Sequence, residues 1–198
     1  MLKKDVFPNS FIQLYTKNNS LYLKTNLEET FKISKYAHLY SYILDNDNKA
    51  HICLIDSKSN IIYITFRNNI LDNVSSFKLD INIKNLSNLS VYTIKHSLHT
   101  FFIRKVSRNE FIIHHLIYDF NNKVWSLLKI GSTSKSSNPV YSVKISNNCL
   151  LCSYSTYINK AIVRKNLSFD EVNECWNNYY SQKTSQLLMS YCDSIEYK

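Results

Sequence analysis

The stretch Ala50-His51-Ile52-Cys53-Leu54-Ile55-Asp56 is the clearest indication of the fold, because its pattern returns twice along the chain. The counterparts are His99-Thr100-Phe101-Phe102-Ile103-Arg104-Lys105 and Cys149-Leu150-Leu151-Cys152-Ser153-Tyr154-Ser155, at offsets of 49 and then 50 residues. A fixed period of this size is typical of repeat arrays, in which a unit buries its apolar face only against a neighbouring unit. The sequence therefore predicts a repeat protein.

Each repeat has the pattern of four short strands separated by polar turns. First strands are predicted at 39–44, 89–94 and 140–145, and the stretches quoted above are the second strands. Third strands are predicted at 60–66, 110–116 and 160–166, and the fourth strands are expected to centre on Phe77, Trp125 and Trp176. Short strands at this spacing predict an all-β array rather than βαβ units.

An incomplete unit precedes these repeats. Segments 11–17, 19–23 and 29–33 resemble second, third and fourth strands, and no first strand comes before them. At the other end, 186–192 is an apolar segment left over after the last repeat. In circular arrays the other end of the chain often supplies the missing strand, which removes exposed sheet edges. A closed ring and a fragment of a larger array therefore both stay open, with an irregular β-sandwich as a third reading.

The predicted fold is all-β, a β-propeller-like array of about four four-stranded blades, either a closed four-bladed ring or a fragment of a larger propeller. We expect a single domain over residues 1–198, with units at about 9–35, 36–84, 85–135 and 136–182 and a terminal strand at 184–198.

One repeat resembles a known group of proteins. The run from Asp47 to Asp56, followed by Asn60-Ile61-Ile62-Tyr63, is similar to the repeat of uncharacterised bacterial β-propeller proteins. In that repeat a turn with Asp and Asn leads to His-Ile, a strand ending in Asp, and an Asn-x-x-Tyr strand. The resemblance covers residues 38 to 80, implies a propeller-like fold and carries no catalytic residues with it.

The composition limits the partners. The net charge is +9, but the basic residues occur as scattered doublets with no longer run. No aromatic motif for binding single strands is present either, so the sequence argues against nucleic acid as a partner.

The chain has one glycine, so we expect its turns at asparagine pairs, which tolerate positive φ. These pairs are Asn18-Asn19, Asn68-Asn69, Asn121-Asn122 and Asn147-Asn148.

The cysteines and the chain's start indicate the compartment. Five cysteines are an odd number, the first residues contain no apolar signal segment, and no apolar run reaches membrane-spanning length. We therefore expect a cytoplasmic protein with reduced thiols. Cys149 and Cys152 have C-x-x-C spacing, but on a strand they point to opposite faces. Because Cys152 takes the repeat position of Cys53 and Phe102, it is interpreted as a buried core residue.

Two groups of residues are candidate ligand sites. His96 and His99, with His114 or His115 on the neighbouring strand, could present imidazoles to a ligand, although no carboxylate or thiol run completes a metal site. Trp125 and Trp176, with Phe31 and Phe77, recur once per unit and either stack on sugars or pack between blades. No cofactor is predicted.

Enzyme sites lack their usual parts. The single Gly131 excludes glycine-rich phosphate loops, four arginines do not suggest a sialidase site, and paired carboxylates lie in predicted turns. The sequence therefore favours a non-enzymatic binding scaffold, with another protein as partner and loops at one end of the blades as the surface. A carbohydrate-binding propeller is the first alternative, and a degenerate glycoside hydrolase is the second.

Overall fold

The computed structural model describes residues 12–134, 140–158 and 161–179. These residues form β-strands connected by short turns, with one 3-10 helix, Ile83–Asn85. The strands are β1 (Ile12–Lys17), β2 (Ser20–Thr25), β3 (Thr30–Ser34), β4 (Leu39–Leu44), β5 (Ala50–Ile55), β6 (Asn60–Arg67), β7 (Ile70–Lys78), β8 (Leu86–Ile94), β9 (Ser97–Lys105), β10 (Phe111–Asp119), β11 (Trp125–Thr133), β12 (Tyr141–Ser146), β13 (Cys149–Ile158), β14 (Ala161–Asp170) and β15 (Cys175–Asn178). In the described part of the chain, no helix is long and apolar enough to cross a membrane.

The strands pair in chain order and form four sheets. Sheet 1 has the order β1-β2-β3, sheet 2 the order β4-β5-β6-β7, sheet 3 the order β8-β9-β10-β11, and sheet 4 the order β12-β13-β14-β15. Each sheet is an antiparallel meander, the strand organisation of a propeller blade. The all-β, propeller-like prediction is confirmed at this level, including the three-stranded first unit.

Contacts divide the described residues into two compact units. The first holds those of Met1–Val106 and Ile113–Lys129, and the second those of Ser107–Ile112 and Ile130–Lys198. Sheets 1 and 2 lie in the first unit, sheet 4 lies in the second, and β10 and β11 contribute residues to both. The predicted pairing of 186–192 with the first strand falls outside the described residues, so ring closure and the single domain stay predictions.

Two apolar clusters hold the first unit together. One lies between sheets 1 and 2 and includes Leu21, Leu23, Ile52 and Leu54. The other joins β5 and β6 to sheet 3 and includes Cys53, Tyr63, Phe102 and Leu116. Strand β5 supplies both clusters because its successive side chains point to opposite faces, and every residue of it is buried.

The offset of 49 between second strands is wrong by one residue. Cys53 Sγ lies 3.4 Å from Thr100 Oγ1, and Phe102 shares the face of Thr100, so Cys53 and Phe102 belong to surfaces that pack against each other. Ile52, on the opposite face of β5, is the counterpart of Phe102. From Ile52 to Phe102 the offset is 50, the same as between the third strands. A one-residue slip in the alignment exchanges the two faces of a strand.

The aromatic residues of the outer strands do not stand at strand centres, nor at one repeat position. Phe77 is next to last in β7 and lies opposite Ile61 at the start of β6. Trp125 begins β11, and Trp176, second in β15, lies opposite Phe169 near the end of β14. Phe77 therefore lies near the start of the third strand of its sheet, whereas Trp125 and Trp176 lie near the end of the third strand of theirs. The register of each hairpin, rather than the spacing in sequence, sets the position of these rings.

Three of the four predicted asparagine turns are confirmed. Both residues of Asn18-Asn19, Asn68-Asn69 and Asn147-Asn148 have φ between 50 and 62°, as two-residue hairpin turns require. Asn121-Asn122 is different, since the positive φ of that turn, 57°, falls on Lys123. There the Asp119 carboxylate accepts hydrogen bonds from the backbone N–H groups of Asn121 and Asn122, at 2.7 and 3.2 Å. Side-chain capping by aspartate thus replaces the asparagine pair.

Candidate functional site

Two of the histidines form a buried pair in sheet 3. His99 Nδ1 lies 3.0 Å from His115 Nε2, and both residues are almost completely inaccessible to solvent. The His115 ring stacks on Phe101 at a centroid distance of 4.4 Å. Burial, with a smaller contribution from His99, holds the pKa of His115 well below its usual value. His115 is therefore neutral near pH 7, and burial closes the pair to a ligand from solvent.

The structure does not assemble the other predicted histidines with this pair. His114 points to the opposite face of β10, where its ring stacks on Phe102 at 5.1 Å. Burial, with Arg104 and Lys129 nearby, lowers its pKa to about 4. His96 lies in the turn after β8, and its carbonyl accepts a hydrogen bond from the Phe120 N–H at 2.9 Å. Within the described residues, no three His, Cys, Asp or Glu side chains are placed to hold a metal.

Both tryptophans are half-buried and take part in packing. Trp125 donates a hydrogen bond from Nε1 to Ser75 Oγ at 2.8 Å, and its ring lies 4.7 Å from Tyr118 and 6.0 Å from Phe77. Trp176 packs on Phe169, with ring centroids 5.2 Å apart. Each ring is thus partly occupied by contacts with other aromatic side chains.

A polar network that the sequence did not single out lies in sheet 2. His51 Nδ1 is 2.6 Å from the Tyr63 hydroxyl, and its Nε2 is 3.1 Å from Asp45 Oδ2. Asp45 also accepts hydrogen bonds from the backbone N–H groups of Asp47 and Lys49, both at 2.9 Å. The network ties the β4–β5 turn to β5 and β6. His51 and Tyr63 belong to the stretch that carries the propeller resemblance, so the sequence held a signal for it.

The electrostatics of this network follow from burial. Desolvation lowers the pKa of His51, although its hydrogen bond to Asp45 acts in the opposite direction. Desolvation raises the pKa of Tyr63 far above its usual value. Because the Tyr63 side chain is only 2% exposed, its hydroxyl meets no substrate from solvent. The arrangement stabilises the turn and offers no reactive group.

An open groove on sheet 4 is the strongest candidate site in the described residues. It has a volume of about 620 Å³ and lies along β12, β13 and β14. The register places Ser142 opposite Ser153 and Ser153 opposite Asn166, so these three side chains share one face. On the other face of β13, Leu150, Cys152 and Tyr154 are buried. The sheet therefore presents one packed face and one polar face.

Hydrogen bonds organise the polar face of sheet 4. Ser142 Oγ and Ser153 Oγ lie 2.8 Å apart, and Arg164 Nη2 donates to Ser153 Oγ at 3.2 Å. Lys144, on the same face, also lines the groove, as does Lys165, whose register partner Tyr154 lies on the packed face. The described lining contains no carboxylate. Arg164 has five N–H donors and uses one of them here, so others remain for an acceptor. The groove is equipped to bind an anion or a row of carbonyl oxygens.

Sequence reasoning missed this groove. Its signal was the alternation of polar residues in the last repeat, Ser142 with Lys144 and Arg164 with Asn166. The alternate positions of these strands are apolar except at Lys165. Cys152, which the sequence assigned to the core, is 1% exposed, and burial raises the pKa of its thiol to about 12. That prediction is confirmed.

Comparison with known proteins gives no family for the chain. No family model matches it, and no curated protein does. Among solved structures, it is similar to a chain in a complex of S. cerevisiae Dbp5 with Nup159, Gle1, IP6 and ADP, with TM-score 0.47 and 12% identity, covering 88% of this chain and 52% of that one. The chain thus spans about half the length of that structure.

Two further structures are similar at the same level. A bifunctional GH43-CE protein of Bacteroides eggerthii has TM-score 0.45 and 9% identity, covering 87% of this chain and 26% of that one. The Nup133 β-propeller domain of Vanderwaltozyma polyspora has TM-score 0.43 and 10% identity, covering 91% and 66%. Likenesses with a TM-score below 0.5 assign neither a family nor a function.

Proposed function

We propose that this protein is a non-enzymatic binding scaffold that holds a partner protein through the groove of sheet 4. The single observation that carries the proposal is a basic, hydrogen-bonding groove with no carboxylate among its described lining residues. Rigid sheets hold its side chains in fixed positions, which lowers the entropic cost of binding. The proposed surface is a blade face, rather than the loops expected from the sequence.

The chemistry of the groove selects the kind of partner. Lys144 and Arg164 are exposed on one face, and the Arg164 guanidinium donates a hydrogen bond to Ser153 Oγ. Asn166 lies opposite Ser153 on the same face. Guanidinium groups bind carboxylates with two parallel hydrogen bonds, and asparagine pairs with backbone amides. The proposed partner is therefore an extended, acidic segment of another protein.

We also propose a cytoplasmic location. The described cysteines, Cys53, Cys149, Cys152 and Cys175, are free thiols. Free thiols are typical of proteins in a reducing compartment, whereas secreted proteins usually pair them.

The test measures the binding of the full chain to a fluorescein-labelled peptide of alternating Glu and Ser residues by fluorescence anisotropy. We expect binding that Arg164→Glu combined with Lys144→Glu weakens at least ~10-fold, the usual size for a lost charged pair at an interface. Lys105→Glu with Lys58→Glu makes the same charge change elsewhere and is expected to weaken binding by less than about 3-fold. An equal loss in both double variants, or no binding by the native chain, refutes the groove as the acidic-peptide site.

A photo-crosslinking experiment then separates a protein partner from a small anion. A benzophenone amino acid is placed at Asn166 in the groove, or at Tyr36, which is exposed between β3 and β4. We expect protein adducts from position 166 that disappear in the Arg164→Glu background. Equal adducts from both positions, or none from position 166, contradict the proposal.

The carbohydrate-binding alternative depends on the tryptophans, and a measurement of turnover would test the hydrolase alternative. Trp125 is held by Ser75, Phe77 and Tyr118, and Trp176 packs on Phe169. The test of sugar stacking uses Trp176. A glycan array with the native chain and the Trp176→Ala variant tests it: sugar binding that this substitution removes would favour the lectin reading. Hydrolysis of any glycoside by the native chain would overturn the non-enzymatic proposal.

A further inference from the structure

The outer face of sheet 1 combines aromatic rings with lysines. The register places Tyr15 opposite Tyr22, Tyr22 opposite Lys32, and Gln13 opposite Lys24, so these side chains share one face. Lys17, two residues after Tyr15, lies on the same face. The other face carries Leu21 and Leu23, which are completely buried in the cluster with sheet 2. One face of this small sheet therefore packs in the core and the other is polar and aromatic.

The two tyrosines form a platform. Their ring centroids are 5.5 Å apart and the ring planes differ by 18°. Lys32 Nζ lies 5.9 Å from the centroid of Tyr22, close enough for a cation–π contact. Both rings are only half-buried, so a flat ligand can stack beside them.

The charge of this face is positive. Lys17 and Lys32 are exposed, and the only described ion pair there joins Lys24 to Glu28 at 3.5 Å, with side chains 40% and 84% exposed. Such an exposed pair is weak in water and gives way to a stronger anion. The neighbouring Glu29 is directed to sheet 2, where Asn69 Nδ2 donates to it at 2.6 Å. The lysines thus remain available to phosphates.

We infer that this platform, formed by Tyr15, Tyr22, Lys17, Lys24 and Lys32, binds single-stranded nucleic acid. Stacked aromatic side chains on a sheet with cations around them are the features by which single-strand binders hold bases and backbone together. A duplex hides its base faces and cannot use the rings, and a neutral sugar gains nothing from three lysines. In the sequence these residues are spread from Tyr15 to Lys32, and only the register of three strands brings them together.

The test measures anisotropy of fluorescein-labelled oligo(dT) and oligo(U) of about twelve nucleotides, within the usual site size for one small domain. We expect Tyr15→Ala with Tyr22→Ala to weaken binding at least ~10-fold, and Tyr15→Phe with Tyr22→Phe to retain it, because a phenyl ring also stacks. Lys17→Gln should lower the slope of log K against log salt by about 0.7, measured between about 50 and 200 mM NaCl.

Matched variants on other surfaces control for general electrostatics. Tyr157→Ala and Lys105→Gln change the same residue types in sheets 4 and 3, and we expect both to bind the oligonucleotides as the native chain does. Circular dichroism melts establish that every variant is folded. Arg164→Glu, in the groove of sheet 4, should also leave oligonucleotide binding unchanged, so this inference and the proposed protein groove fail or succeed separately.

Three outcomes overturn the inference. In the first, the alanine double variant binds the oligonucleotides as tightly as the native chain. In the second, a DNA duplex of the same length binds as tightly as the single strand. In the third, an acidic peptide displaces the oligonucleotide and depends on the same two tyrosines, which would make the face a protein-docking surface.

Discussion

The hydroxyl of Tyr63 and Nδ1 of His51 lie 2.6 Å apart between neighbouring strands of sheet 2, in a site that water does not reach. The same ring reaches Asp45 through Nε2 at 3.1 Å, so the imidazole links a turn carboxylate to a core phenol. If a buried ring nitrogen loses its hydrogen-bond partner, the folded state is destabilised by the full desolvation free energy of that atom.

We expect Tyr63→Phe to lower the free energy of unfolding by ~1–3 kcal/mol, because it leaves His51 Nδ1 buried without that hydrogen bond. The measurement is urea denaturation followed by tryptophan fluorescence. Tyr157→Phe removes the same hydroxyl from a side chain that is 52% exposed, and its effect should stay within ~0.5 kcal/mol. Equal effects of the two substitutions would show that the network adds nothing to stability.

His114 makes stability depend on pH. Its pKa falls from 6.5 to about 4 in the fold, chiefly because burial disfavours the charged ring. The unfolded chain therefore binds a proton at His114 before the folded chain does, and this residue's contribution to stability is lost as pH falls from about 6.5 towards 4. Comparing urea midpoints of the native chain and His114→Phe over this range should give a smaller pH dependence for the variant. An unchanged pH dependence would contradict the assignment.

Gly131 is the only glycine of the chain, and it lies where the Tyr154 side chain needs space. A Cβ at this position would overlap the Tyr154 hydroxyl and lie 2.6 Å from its Cζ. Gly131→Ala should therefore destabilise the protein by ~1–3 kcal/mol, the usual cost of overpacking. Thermal melts of the single and double variants check this.

The double variant distinguishes the cause. Tyr154→Ala removes the obstructing ring, so Gly131→Ala should cost much less in that background than alone. Additive costs would instead assign the effect of Gly131 to the backbone. Its φ is outside the positive range, so we expect strong coupling between the two sites.

The asparagine turns differ in what they require. Asn148 has φ of 57°, and a β-branched residue there pays the left-handed penalty, so Asn148→Val should cost ~1–2 kcal/mol. Asn148→Gly should be tolerated, because glycine adopts this conformation freely. Asn121→Val is the matched control in a turn where Lys123 takes the positive φ, and we expect a change within ~0.5 kcal/mol. The urea denaturation midpoints of the three variants measure these changes in stability.

The thiols should fall into two reactivity classes. Burial raises the pKa values of Cys53 and Cys152 to about 12, and both side chains are inaccessible. Cys149 and Cys175 are partly exposed. In native protein, iodoacetamide should label Cys149 and Cys175 before Cys53 and Cys152, as peptide mass spectrometry would show. All four of these thiols should react once guanidinium chloride unfolds the chain. Early labelling of Cys53 would contradict its place in the core.

The candidate sites were less predictable than the strands. Trp125 and the histidines stand out in the sequence because of their chemistry, yet the structure uses Trp125 and His115 in packing. Ser142, Ser153 and Arg164 attract no attention singly, and they form the groove because β12, β13 and β14 align them in register. The same is true of Tyr15 and Tyr22.

The sequence alone specifies the all-β class, the position of nearly every described strand and three of the four asparagine turns. These features depend on local pattern: alternation of apolar residues, spacing of turns and the tolerance of asparagine for positive φ. The face that each residue occupies, and the side chains that it contacts, depend on strand pairing and on the packing of the sheets. Side chains alternate between the two faces of a strand, so a shift of one residue exchanges the faces. The alignment of Cys53 with Phe102 is an example, because the two residues face each other instead of occupying equivalent faces.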